Sequence, residues 1–404
     1  MKKILLLGGS QQQIIAIETA KKLGYYTVLC DYLNDNPGQY VADKFYLEST
    51  TDKDKILEIA KQEEIDGILA YASDPAAPTA AYVAEKMGLP GNPFKSVEIL
   101  CNKDLYRKFL KENGFNTPKA KGYENLSEAN NDILNGFYNF PVIVKPVDSS
   151  GSKGINLIDD VDKIEDKLEY AMSFSKIKRI IIEEYIEKQG YQIAGDGLSI
   201  DGKFVFDCFG DDHFNSSNIN PFVPVSASFP CTTSNEMLDK VRYEIQRLIS
   251  LLDIKTCTFN FDIRVDKNGN VFLMEIAPRS GGNYIPQIVK YSTDVDLVEC
   301  SIKAAMGDRI IYNYSKQKGY YAYYALNASK EGILNNINIK DDVIKNNILN
   351  NYIVAKKGDR ISKFVSSNKT LGCLIMKFDS KEQMLEMIEN PGKWIKIEIA
   401  SSNE

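Results

Sequence analysis

The sequence predicts an α/β protein that ends in a smaller α+β unit. Three observations predict it. Short apolar runs alternate with amphipathic stretches over residues 1–91, strands dominate from Lys203 to Ile276, and the chain turns rich in Asn, Lys and Ile from about Tyr320.

Taken in order, Lys3 to Leu7, Tyr25 to Cys30 and Ile65 to Tyr71 read as strands with helices between them, a βαβ pattern that implies a parallel sheet. Gly8-Gly9-Ser10 leaves the first strand and opens a helix; it is either an anion seat on helix N-terminal amides or a tight turn. Pro90-Gly91-Asn92-Pro93 can continue neither a helix nor a central strand and marks a boundary. Beyond it, Lys103 to Glu112 reads as a helix, and Asn116-Thr117-Pro118 leads towards a strand over Pro141 to Lys145. A helical stretch from about Ser234 to Leu252 interrupts the strand-rich segment, and the last unit carries a strand over Thr370 to Phe378 and a helix over Lys381 to Glu389. Three domains follow: 1–91, 92–310 and 311–404, with a subdomain over about 118–186 inside the second.

The bulk numbers exclude several classes. A chain of 404 residues exceeds one hydrophobic core, and 44% hydrophobic with 26% charged residues is the balance of a globular protein. No apolar run approaches a membrane span, and the run Ile4 to Leu7 stops too soon, with no small-residue cleavage site, to be a signal peptide. Seven scattered cysteines without a CxxC pair fit a reducing cytoplasm better than zinc or disulfides. A net charge of −6 disfavours a nucleic-acid binder but not a nucleotide, whose phosphates need only a few local cations and amides. The single histidine, His213, has no GxSxG elbow to serve and reads as structural.

Two segments carry chemistry. Pro141-Val142-Ile143-Val144-Lys145-Pro146 ends a buried strand in a lysine, and Asp148 to Gly154 follows as a Ser/Gly loop. A lysine fixed at a strand end offers a point charge to phosphate oxygens, while small residues let backbone amides approach them; alone, the loop is equally a flexible hairpin. A Walker A motif is absent. Further on, Thr258 to Val265 alternates apolar and polar residues before the turn signal Asn268-Gly269. A two-residue turn there puts Asp262 opposite Glu275, and such like charges call for a cation between them, for which a divalent metal is the obvious choice. The same reckoning at Asp201-Gly202 puts Asp196 opposite Asp207, so paired acids alone are not specific. The continuation Ala277-Pro278-Arg279-Ser280-Gly281-Gly282 adds an arginine that could brace a phosphoryl group or stand exposed in a turn.

In that order, a lysine-ended strand, a Ser/Gly loop, Glu183-Glu184-Tyr185-Ile186 and a late Asp…Glu-x-x-x-Arg hairpin resemble the ATP-grasp superfamily, in particular the carbamoyl-phosphate-synthase-like and carboxylate-amine (amino-acid) ligases, over roughly residues 1–310. The resemblance implies an ATP-grasp fold with an N-terminal Rossmann-like domain and a small C-terminal α+β domain. It implies ATP held by Lys103 and Lys145, by Ser149, Ser150, Gly151 and Ser152 of the lid loop, by Glu183, Glu184, Tyr185 and Ile186 at the hinge, and by Gln192 in place of a ribose-binding glutamate. Asp262 and Glu275 would hold Mg²⁺ or Mn²⁺, with Arg279 and Lys145 catalytic. Ala277 stands where many members have an asparagine ligand, leaving Asn260, Asn283, water or substrate to supply that oxygen.

The implied reaction activates a carboxylate as an acylphosphate and couples it to an amine, releasing ADP and phosphate. The expected partners are a small-molecule carboxylate and amine, with no nucleic acid and no membrane, and a homodimer is allowed. A carboxylase of the biotin-carboxylase or purine-pathway kind and a non-catalytic ATP-binding protein stay open. A Rossmann-type dehydrogenase has only a loose signal in Tyr25 to Asp31.

Overall fold

The computed structural model describes residues 1–160, 164–215 and 220–400; of the domain ranges above, 401–404 lie outside the described residues. Among the described residues the strands assemble into four sheets.

The first sheet is parallel, in the order β3 (Lys44–Leu47), β2 (Tyr26–Asp31), β1 (Lys3–Leu7), β4 (Gly67–Leu69). Helices α1 (Ile14–Lys22), α2 (Lys53–Glu63) and α3 (Ala77–Met87) connect its strands or follow them. Strand β1 is apolar on both faces because each packs a different core: Leu5 and Leu7 meet Ile56 and Val83, while Ile4 and Leu6 meet Ile17 and, from much later in the chain, Ile302. The Gly8-Gly9 turn is occupied from within, since the Gly9 amide donates to Asp31 Oδ2 at 2.7 Å and Ser10 closes a capping box with Gln13.

Helices α4 (Phe94–Cys101) and α5 (Lys103–Glu112) lead into a four-stranded antiparallel sheet. Its order is β5 (Ala120–Tyr123), β8 (Ile180–Glu184), β6 (Val142–Pro146), β7 (Asn156–Ile158), with α6 (Leu126–Leu134) and α7 (Ile164–Ser173) packed on its outer face. The predicted strand at 141–145 is therefore an inner strand, which its run of buried residues requires.

The largest sheet starts from β9 (Gln192–Ile200), β10 (Lys203–Phe214) and β11 (Pro224–Phe229), backed by α8 (Asn235–Leu251), and continues through β12 (Cys257–Val265) and β13 (Val271–Ala277). After α9 (Ile285–Thr293) and α10 (Leu297–Met306), the chain adds β14 (Tyr320–Leu326), β15 (Gly332–Ile339), α11 (Asp341–Asn346), β16 (Ile348–Ile353), β17 (Arg360–Ile361), β18 (Gly372–Phe378), α12 (Lys381–Glu389) and β19 (Ile395–Ala400). Strands β14, β18 and β16 extend the same sheet, whose order is β13-β12-β9-β10-β11-β14-β18-β16. The C-terminal segment thus shares a sheet with the middle of the chain and adds only β17-β15-β19 separately. No helix among the described residues is long and apolar enough to cross a membrane.

Candidate active site

A cleft of about 1330 Å³, its open mouth included, lies between the four-stranded sheet and the floor made by β13, β12, β9 and β10. Alternation along β12 turns Asn260, Asp262 and Arg264 to that cleft while Phe261 and Ile263 go to the core beneath α8. Asp262 faces Glu275 across the ladder, as the sequence predicts, but the route differs. Strand β12 ends at Val265 opposite Val271, so the turn spans five residues, closed by Asp266 accepting from the Asn268 and Asn270 amides. Near the turn Ile263 pairs with Leu273; a bulge then leaves Met274 over and brings Glu275 opposite Asp262. The freed Met274 carbonyl accepts from Arg107 Nη2 at 2.8 Å. At the other hairpin a register shift between Phe204 and Phe206 corrects the expected Asp196–Asp207 pairing, so Asp196 faces Cys208 and Asp207 faces Gly197.

One step along the same face, Gln192 joins two neighbours. Its Nε2 donates to Asp212 Oδ2 at 3.0 Å and its Oε1 accepts from Arg264 Nε at 2.9 Å. Burial, then Glu275, push the Asp262 carboxyl up to about 7. Asp212 is raised as well, by burial and then by Asp262. Asp262, held above its ordinary range, and Glu275 opposite it bring carboxylate oxygens together on the cleft floor, an all-oxygen pair that a hard divalent cation would relieve, so the residues fit such an ion. Lys103 Nζ stands 3.9 Å from Glu275 Oε2. Ala277 offers no side-chain oxygen; Asn260 Nδ2 donates to Gly195 O and Asp196 Oδ1, and its Oδ1 accepts from Arg279 with one lone pair to spare. Asn283 lines the cleft.

The roof of the cleft is Lys145 and the loop after it. Lys145 and Arg107 both ion-pair with Glu183, which is 2% exposed. Burial lowers the Lys145 ammonium to about 8 against the pull of Glu183. Glu183 falls to about 2, because Arg107 and Lys145 together outweigh the burial that would raise it. Ser149, Ser150, Gly151 and Ser152 line the cleft, and Lys103 Nζ donates to Ser149 O at 2.6 Å. The loop turns through positive φ at Gly151 and Ser152 and is held from two other places. Asn220 Nδ2 donates at 3.0 Å both to Ser152 O and to Val365 O, and the Ser367 amide donates to Gly151 O at 3.1 Å.

Of the predicted hinge, Glu183 lines the cleft, whereas Glu184, Tyr185 and Ile186 lie outside its lining. The Glu184 amide donates to Lys119 O, the Tyr185 amide to Pro141 O, and Ile186 O accepts from Arg264. Arg279 is gripped by Asp74 of the N-terminal unit, through Nε at 2.7 Å and Nη2 at 2.6 Å, and its Nη1 donates to Asn260 Oδ1 and Ser280 O. Four of the five guanidinium N–H groups are therefore taken, leaving one for a ligand. Reasoning from the sequence missed Arg107 and Arg264; Ser73-Asp74 and Asp211-Asp212-His213 read from sequence as solvated loops or pocket linings, and the structure lines the cleft with Asp74 and Asp212. The two-residue period of β12 would have found Arg264, and that of β10 puts Asp212 on the same face as Gly210; no local pattern announces Arg107 or Asp74.

His213 is buried, bonded through Nε2 to Ser228 Oγ at 2.8 Å, and lowered to about 4 by burial, which fits the structural role.

Residues 138–287 match the ATP-grasp domain family model. The chain carries an ATP-grasp domain. The uncharacterized protein y4rH of Sinorhizobium fredii is 26% identical over 286 residues, 69% of this chain and 56% of that protein. The C-terminal section of the carbamoyl phosphate synthase large chain of Aquifex aeolicus is 23% identical over 324 residues, 76% of this chain and 58% of its own length. The chain thus spans little more than half the length of these relatives. Among solved structures, the L-amino acid ligase from Bacillus licheniformis superposes with a TM-score of 0.82 at 20% identity, covering 99% of both chains. The fold shared with that structure extends over nearly the whole chain, beyond the span that the family model matches. The matched span contains Lys145, the Ser/Gly loop, Glu183, Gln192, Asp262, Glu275 and Arg279, while Lys103 and the Ser367 contact come from outside it.

Proposed function

We propose that this ATP-grasp chain is an ATP-dependent ligase that activates a carboxylate as an acylphosphate and couples it to an amine, releasing ADP and phosphate. The observation that carries the reading is the Asp262–Glu275 pair, set in register on the cleft floor beside Lys103 and beneath a roof that holds Lys145. Asp262 and Glu275 would hold Mg²⁺, or Mn²⁺ in its place, and the ion when bound would offset charge on the terminal phosphates of ATP.

The residues of the chain then have defined tasks. The Ser149–Ser152 amides and the Lys145 ammonium bind and orient the phosphates, Lys103 neutralises them from the other side, and Gln192 accepts from a ribose hydroxyl. Arg279, fixed by Asp74, points its one remaining N–H without reorganising. A substrate carboxylate oxygen attacks the γ-phosphorus and the bond to the β–γ bridging oxygen breaks, giving ADP. The amine nitrogen next attacks the acyl carbon, the C–O bond breaks, and phosphate leaves with the electron pair while the amine's protons pass to phosphate and water.

The test is ADP release from purified protein with Mg-ATP, over a panel of amino acids and sugar acids as carboxylates, with ammonium or primary amines as nucleophile and bicarbonate as a separate arm. Lys145→Ala and Glu275→Ala should each lower release at least ~100-fold with the melting transition retained; unchanged turnover in either variant refutes the assignment. Bicarbonate-dependent release without an amine would favour a carboxylase. A second reading, an ATP-binding protein without turnover, draws on Ala277, which has no side-chain oxygen, and it predicts tight Mg-ATP binding with no release under any condition.

A further inference from the structure

Behind the Lys103–Glu275 contact lies a second cavity, of about 1140 Å³ with its mouth included, between the N-terminal unit, the turn from α4 into α5, and the start of the Ser/Gly loop. It shares Asp74, Lys103, Ser149, Met274 and Glu275 with the nucleotide cleft, so the two meet at Lys103 and at Glu275, one of the two residues that would hold the metal. Three polar oxygens of its lining residues have no hydrogen-bond partner: Tyr106 OH, Asn102 Oδ1 and Asp148 Oδ1. Tyr106 is only 2% exposed, so its hydroxyl forgoes water without compensation, an arrangement that destabilises a fold unless a ligand completes it. Asn102 occupies the position before α5 but makes no capping bond, which leaves its oxygen free for something else.

The chemistry of the wall selects the ligand. Two of the three orphaned atoms can only accept, and the hydroxyl can accept as well as donate. Four carboxylates, Asp74, Glu98, Asp148 and Glu275, face two lysines. Pro75, Pro78, Leu100 and Ile177 supply apolar surface between them. We propose that this cavity is the compartment for the amine nucleophile, taken up as a primary ammonium on a short apolar body and delivered at Glu275. The word nucleophile rests on the ligase reading; the binding of an ammonium does not. A carboxylate would meet two lysines but also the orphaned acceptors and four acids, and of the phosphate loop only Ser149 reaches this cavity, while Ser150, Gly151 and Ser152 line the other.

The experiment uses the full chain and two probes, propylammonium and propionate, titrated by calorimetry with and without a non-hydrolysable ATP analogue, followed by amine KM in the ADP-release assay. Propylammonium should bind, propionate should not, and the analogue should leave amine binding in place. Tyr106→Phe should weaken propylammonium at least fivefold and raise the amine KM by a similar factor, with the ATP KM unchanged. Because the hydroxyl has no partner in the ligand-free protein, this variant should melt no lower than the wild type, whereas a structural hydroxyl would lower the melting temperature. Asn102→Leu should reproduce the loss of affinity. Failure of propylammonium to bind, its displacement by the analogue, or unchanged affinity in Tyr106→Phe overturns the proposal. If propylammonium binds as described but no amine supports ADP release, the site stands and the ligase reading falls; if turnover is found with an amine KM that Tyr106→Phe does not move, the reverse holds.

Discussion

Lys145 and Glu183 act on stability in opposite directions, and the signs show what the pair is for. The Glu183 carboxyl, lowered to about 2, contributes stability above the ordinary glutamate range that is lost as pH falls towards 2, about 3 kcal/mol in all. Lys145, lowered to about 8, costs the folded state a similar amount at every pH below that value, and the cost fades as pH climbs towards the free lysine range. Both effects contain the one attraction between Lys145 and Glu183, and the buried triad with Arg107 is better understood as holding an ammonium where phosphates would arrive than as a source of stability. Removing the shared acceptor is another matter. Glu183→Gln leaves two buried cations facing each other and should cost about 3 kcal/mol at pH 7 in urea unfolding. The difference from wild type should shrink between pH 4.5 and pH 2 as Glu183 itself takes up a proton; a variant as stable as wild type at pH 7 contradicts the account. At this scale the sequence showed the lysine, the acids and Arg279, because each sits in a local pattern. It concealed Arg107 altogether and gave Asp74 and Asp212 no partner, because these residues reach the site across distances in sequence that no local pattern encodes.

Elements show the same division. The cores of β1, β6 and β12 follow from apolar runs or two-residue alternation, and those strands lie where the sequence puts them, within a residue or two. Register is less legible. The Asp262–Glu275 pairing arose from a longer turn and a compensating bulge, and the Asp201-Gly202 hairpin was displaced by an irregularity that its residues do not advertise. One glycine shows what fixes the floor. Gly195 has φ +134°, and a Cβ there would lie 2.1 Å from the Cys208 carbonyl oxygen, so β9 and β10 approach too closely for any other residue. Gly195→Ala should lower stability by about 2–4 kcal/mol and disturb the neighbouring Ala194 floor, measured as a fall in the urea midpoint at unchanged slope. A midpoint within error of wild type would mean that the two strands can separate without cost.

At the scale of the whole molecule, the contacts that bind the N-terminal unit to the rest include the bidentate pair of Asp74 with Arg279, the Asn283 amide donating to Gln12 Oε1, Lys2 and Tyr25 meeting Asp308, and α10 packing on β1. Asp74 is lowered because Arg279 outweighs the effect of burial. Asp74→Ala leaves the guanidinium with two carbonyl partners and should cost about 3 kcal/mol, with Asp74→Asn recovering part of it; equal melting temperatures for all three proteins would show the contact to be incidental. The α/β start of the chain and its α+β end could be inferred from composition and apolar pattern. That the C-terminal segment continues the central sheet could not, since strand pairing at such separation leaves no mark on either partner. The Asn220 bridge gives this continuity a use. A single amide group fastens Ser152 to Val365, so the loop that would close over phosphates is tethered to the far end of the chain, and any event that loosens residues 364–367 would be felt as slack in that loop.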